Sequence, residues 1–117
     1  MQSGLEAAMT EFEHVQVVTT TDSAESATLL ARNAVEARLA ACAQVFGPLC
    51  SIYWWEGKVD TAQEWRVVLK TTAAAYPELE AHIKAGHGYE VPEVVMLPIT
   101  AGNPEYLEWI DAETARA

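Results

Sequence analysis

An imidazole, a phenol and two carboxylates fall within one short stretch, His87-Gly88-Tyr89-Glu90-Val91-Pro92-Glu93. Imidazole and carboxylate together suit divalent copper or zinc. The spacing matches no closed metal site, and there is no HExxH pair. The stretch therefore offers either a ligand pair, His87 with Glu90, or a loop whose polar groups fix backbone and interface geometry. Lys70 ends an otherwise apolar run. An unpaired buried ammonium is costly, so Lys70 calls for a neighbouring carboxylate or an incoming anionic ligand. Trp54, Trp55 and Trp65 can wall a ligand cleft or simply pack. His14 and His82 read as surface or boundary histidines. No nucleophile–base set, Gly-rich phosphate loop or basic stripe is evident, which argues against an enzyme.

Composition narrows the partners. The chain has 117 residues, the size of one domain, and is 50% hydrophobic, enough for a genuine core. Its net charge of −10, from 17 acidic and 7 basic residues, would repel a phosphate backbone and excludes nucleic acid as an expected partner. No apolar stretch approaches the roughly 20 residues of a membrane span, and no secretory signal opens the chain. Cys42 and Cys50 are the only cysteines. On one strand they would stand about 26 Å apart, too far to bridge, so both are expected as buried thiols in a cytoplasmic protein.

The elements that must position these groups centre on Ser51-Ile52-Tyr53-Trp54-Trp55-Glu56-Gly57-Lys58. Aromatic and β-branched residues favour a strand, and Gly57 supplies the positive φ of a tight turn. The return strand runs through Trp65 to Thr71. A first strand at Val15–Thr19 precedes a helix to about Leu39, whose start shows Asp22 and Glu25 at capping-box spacing. A strand from Ala41 is broken at Gly47-Pro48 and resumes at Leu49. Tyr76-Pro77 opens a second helix that Gly86 closes, Val94–Ile99 is the last strand, and Asn103-Pro104 starts a final helix. The order βαββαβ with an added C-terminal helix predicts an α+β, ferredoxin-like antiparallel sheet with one long hairpin. Residues 1–13 are expected to form a loosely ordered tail and residues 14–117 the single domain. The runs Val17-Val18, Val67-Val68-Leu69 and Val94–Leu97 lack alternation, which suggests that both faces of the sheet are covered. Two helices cover one face, so a neighbouring subunit is expected on the other.

Five stretches in order, Arg38–Cys42, Ser51–Lys58, Leu69–Thr72, His87–Glu93 and Gly102–Trp109, resemble the divalent-cation tolerance protein (CutA) family over about Val15 to Asp111. The resemblance implies a ferredoxin-like fold assembled as a homotrimer, similar to the PII signalling proteins, with hairpins packed across subunits. It also implies a role in tolerance of divalent metals, copper in particular, with no cofactor required. Carried over by position, the family's inter-subunit cleft would use Trp54, Lys70, His87, Tyr89 and Glu90. Weak metal binding through His87 and Glu90 is one expectation. A PII-like trimer holding a small anionic metabolite against Lys70 and Tyr89 is the other. Gly88 stands where the family usually has proline, and Thr19 where some members have a cysteine. A hydroxyl is a poor copper ligand, which puts a copper site of that type in doubt.

Overall fold

The computed structural model describes residues 12–115. The elements are β1 (His14–Thr21), α1 (Ala24–Glu36), β2 (Cys42–Trp55), β3 (Lys58–Thr72), α2 (Tyr76–Ala85), β4 (Val94–Pro98) and α3 (Pro104–Thr114). The strands form one antiparallel sheet in the order β2-β3-β1-β4. The expected α+β sheet with a long hairpin and a third helix is therefore present. The hairpin is longer than expected, because β3 begins at Lys58, seven residues before Trp65. The expected tail falls outside the described residues except for Phe12 and Glu13, and the Glu13 carbonyl accepts a hydrogen bond from the Ala73 amide at 2.8 Å.

Alternation along the strands sorts the two faces. Val15, Val17, Val67 and Leu69 are fully buried against Ala27, Leu30 and Ala34 of α1 and Leu79 and Ile83 of α2. The opposite face carries Val18 and Val68, also buried, and α3 packs across it on β3. Ile110 of α3 is completely buried, the Tyr106 hydroxyl lies 3.6 Å from Cys42 Sγ, and Asp111 reaches His14 Nε2 at 2.9 Å. This amends the expectation from the unbroken apolar runs. Part of the second face is closed by the chain's own last helix, while Val95 and Leu97 of β4 stay exposed.

Four local details depart from the sequence reading. Ser23, not Asp22, caps α1, its hydroxyl accepting the Ser26 amide at 3.0 Å. Helix α1 stops at Glu36 rather than Leu39, because Arg38 adopts φ 63° and the Arg38 and Leu39 amides fold back onto Val35 and Ala34 carbonyls. Cys42 is half-buried and Cys50 exposed, so neither is the buried thiol expected; both are free. Gly86 does close α2, but at φ −99° and without left-handed geometry.

The hairpin turn is Glu56-Gly57, with φ 50° and 79°. Two central residues at positive φ make a type I′ turn, whose twist matches the strands and fixes their register. At the other end of β2 the register shifts between Phe46 and Leu49, around a cis Gly47-Pro48 bond. The Trp65 ring lies directly over Gly47, where a Cβ would come within 2.7 Å of Cγ. Glycine is required there by close approach.

Candidate functional site

The 86–93 loop continues β1's edge beyond the end of β4, whose pairing with β1 begins at Val94↔Thr19. There the free Thr20 carbonyl accepts from His87 Nε2 at 2.7 Å, and the Tyr89 amide donates to His87 Nδ1 at 3.0 Å. A carbonyl can only accept and an amide only donate, so His87 is the neutral Nε2–H tautomer with both nitrogens engaged. Its ring also stacks, tilted, on Tyr89 at 4.9 Å. These bonds aim Tyr89 across to β3, where its hydroxyl donates to Glu64 Oε2 at 2.7 Å. Partial burial pushes the Tyr89 phenol above its usual 10.0, and the Glu64 carboxylate adds to the shift. The phenol is thus a neutral donor that locks the loop to the hairpin.

Between loop and hairpin lies a cleft of about 1030 Å³. Its walls carry Asp22, Asp60, Glu64, Glu90 and Glu93 together with Tyr53, Trp54, Trp55 and Tyr89, and no Lys, Arg or His. Strand register explains the mixture. Tyr53 pairs with Asp60 and Leu49 with Glu64, so Tyr53, Trp55, Asp60, Ala62 and Glu64 share one face of the hairpin. Ile52 and Trp54 also border the cleft, but alternation assigns them to the other face, with Val59.

The site residues expected from sequence are therefore divided. Trp54, Tyr89 and Glu90 come to one cleft. His87 stands behind it, holding the loop. Lys70 does not line it: six residues beyond Glu64 on β3, about 20 Å at the usual strand rise, it donates to Gln44 Oε1 at 3.2 Å. Its partner is an amide, not the carboxylate that was expected. Thr19 is fully buried with its hydroxyl unpartnered among the described residues, and it does not border the cleft either.

Sequence reasoning missed Asp22, Asp60 and Glu64. Asp22 was assigned to a helix cap that Ser23 makes instead, and that left it free for the cleft. Asp60 and Glu64 alternate with Thr61 and Gln63 in a polar stretch, and only the position of the turn could have brought them into register with Tyr53. Among the described residues, no three His, Cys, Asp or Glu side chains converge as a ligand set for a metal ion. The acidity is spread along the walls.

Comparisons with known proteins agree with this architecture. Residues 15–113 match the family model described as CutA1 divalent ion tolerance protein. The chain is 47% identical over 98 residues to the divalent-cation tolerance protein CutA of Thermus thermophilus, covering 84% of this chain and 95% of that one. It is 39% identical over 110 residues to the chloroplastic CutA 1 of Oryza sativa, spanning 94% of this chain but only 62% of the rice protein. The crystal structure of rice CutA1 superposes with a TM-score of 0.87, at 39% identity, covering 92% of this chain and 99% of that one. A structure from Archaeoglobus fulgidus described as a periplasmic divalent cation tolerance protein CutA gives 0.85 at 36% identity, covering 87% and 99%. From its sequence and from its fold, the chain belongs to the CutA1 divalent ion tolerance family.

Proposed function

We propose that the protein acts in divalent-cation response as a homotrimer whose clefts hold metal ions such as copper or zinc weakly. The observation that carries this reading is the cleft wall, with five carboxylates and no basic side chain. Such a wall concentrates cations by its field before any ligand set forms. Glu90 is an exposed carboxylate three residues along the loop from His87. His87 can join it only by giving up its bond from the Tyr89 amide or its Nε2 proton, which is a physical reason for low affinity. The acidic wall does not favour the PII-like alternative of an anionic metabolite.

Support for the trimer lies in the exposed apolar surface. Ile52, Trp54 and Val59 on the hairpin, Val95 and Leu97 on β4, and Trp109 on α3 are more than a lone chain usually leaves to water. Cytoplasmic action is part of the proposal and rests on the two free thiols. Isothermal titration of copper and zinc into the wild type, Glu90→Gln and His87→Ala tests the metal site. Affinity should fall in both variants, and equal affinities would remove the site. Sedimentation should give about three times 12.8 kDa, whereas a folded monomer would remove the trimer.

A further inference from the structure

The segment 88–93 is held differently from the elements on either side of it. Helix α2 before it buries Leu79 and Ile83 completely, and β4 after it is paired with β1 from Val94 to Pro98. Residues 88–93 have neither support. None of them is buried, Val91 is 77% exposed, and no backbone–backbone hydrogen bond ties them to another described residue. Few buried contacts and an unpaired backbone are the physical signature of a segment that opens locally while the fold stays intact. Two side chains hold it instead, with different duties. His87 is fixed to the Thr20 carbonyl of β1 and receives the Tyr89 amide on its other nitrogen, so this tie stays on one bank of the cleft. Tyr89 crosses to the other bank, where its hydroxyl donates to Glu64 of β3 at 2.7 Å. Among the described residues this is the one hydrogen bond from the segment to the hairpin. All six residues of the segment line the cleft, so the mouth of the cleft moves with them.

We infer that residues 88–93 are a lid on the cleft, pivoting at His87 and clasped to the hairpin by the Tyr89–Glu64 bond. Opening breaks one hydrogen bond and uncovers little apolar surface, so the lid opens while the sheet and helices keep their packing. Gly88 stands next to the pivot. A Cβ there would meet nothing within 4 Å, and its φ lies outside the left-handed region. Alanine therefore fits the closed lid without strain and restricts the open one. The inference does not depend on what the cleft holds, and a failed metal titration would leave it standing.

Backbone nitrogen relaxation dispersion on the full-length protein, without added ligand, tests it, since lid motions fall in the microsecond-to-millisecond range that this measurement reads. The wild type should show exchange at the amides of residues 88–93 and of Glu64, and none in α1. Tyr89→Phe and Glu64→Ala should each raise the open population about fivefold or more, the worth of one hydrogen bond. Together they should raise it no further, because both remove the same bond. Gly88→Ala should lower it about two- to fivefold. A wild type without exchange in this segment, or additive effects of the two clasp variants, would overturn the inference. Exchange that rises equally in α1 would assign the effect to a general loss of stability and overturn it as well. If Glu64→Ala does not fold, Tyr89→Phe and Gly88→Ala decide by themselves: the lid requires that they move the open population in opposite directions, and any other result overturns it.

Discussion

The two faces of the β2–β3 hairpin both carry exposed aromatic rings, but in different company. One face sets Tyr53 and Trp55 among Asp60 and Glu64, with Lys58 at the turn end opposite Trp55, and is overhung by the His87–Glu93 loop. The other sets Trp54 beside Ile52 and Val59, 58–74% exposed, with Thr61 and Gln63 and no charge. An aromatic among carboxylates is a surface for a cation, because the ring face adds to their field. An aromatic among aliphatics gains only by excluding water, so it is a surface for another protein. One pair of strands thus presents an apolar surface on one side and an acidic, aromatic one on the other, and the two meet at the cleft margin, which Ile52 and Trp54 also border.

The strongest way to break this comparison is to charge the uncharged face. Ile52→Lys with Trp54→Lys should dissociate the proposed trimer to a species near 12.8 kDa in sedimentation, since a Trp that becomes buried on assembly would cost about 3–5 kcal/mol to remove from there. Asp60→Asn with Glu64→Gln should leave the assembly intact. If the lysine variant instead stays assembled and loses cation binding, the roles of the two faces are reversed.

Next in size is the register shift in β2 around Gly47-Pro48. Gly47→Ala would drive a methyl into the Trp65 ring, which is part of the core margin and cannot withdraw freely. Overpacking of this kind costs about 1–3 kcal/mol. Melting temperature at fixed protein concentration should fall, and cation binding should weaken with it because the aromatic wall is displaced. An unchanged melting temperature would mean that Trp65 yields.

A smaller effect tests the lock on the cleft face. The Tyr89 phenol titrates above 10.0 in the folded protein, mainly through burial and then through Glu64. An unfolded tyrosine ionises near 10, so above that pH the unfolded chain has released a proton that the folded chain still holds. The lock therefore stabilises the fold fully below pH about 10 and is lost as pH rises through the raised value. Thermal melts from pH 8 to 11 should show this decline flattened in Tyr89→Phe, which itself costs about 1 kcal/mol at neutral pH for one hydrogen bond. Identical alkaline slopes in both proteins would assign the decline to other tyrosines, of which Tyr76 and Tyr106 are also raised.

These contrasts show which parts of the molecule could be read from the chain. Element order, the turn at Gly57 and the Asn103 cap depend on neighbours in sequence, and all three are present. The loop chemistry of His87, Tyr89 and Glu90 was visible as residue types, but the use made of His87 was not. Its two partners are the Thr20 carbonyl, 67 residues away, and an amide two residues on. Neither leaves a trace in side-chain identity. Lys70 misled because an apolar run implies burial on both sides, whereas its pleat side carries Gln44 and Cys42 and remains half open. The cleft carboxylates were hidden for a related reason. Glu64 is one of 17 acidic residues until register and Tyr89 single it out.

Register itself provides the smallest and most specific test. It is set by the two-residue turn, and Glu56 occupies the first central position at φ 50°, where a residue with a Cβ is strained unless its side chain is short and polar. Glu56→Asn should relieve that strain and stabilise the protein by about 0.5–1 kcal/mol. Because the turn keeps its length, Tyr53 must stay opposite Asp60 and Trp54 opposite Val59. Both assembly and cation binding should then be unchanged while the melting temperature rises slightly. A slip of one residue would exchange every side chain between the two faces and put the carboxylates where the aliphatics were. If Glu56→Asn alters either property, the pleat does not partition the two roles.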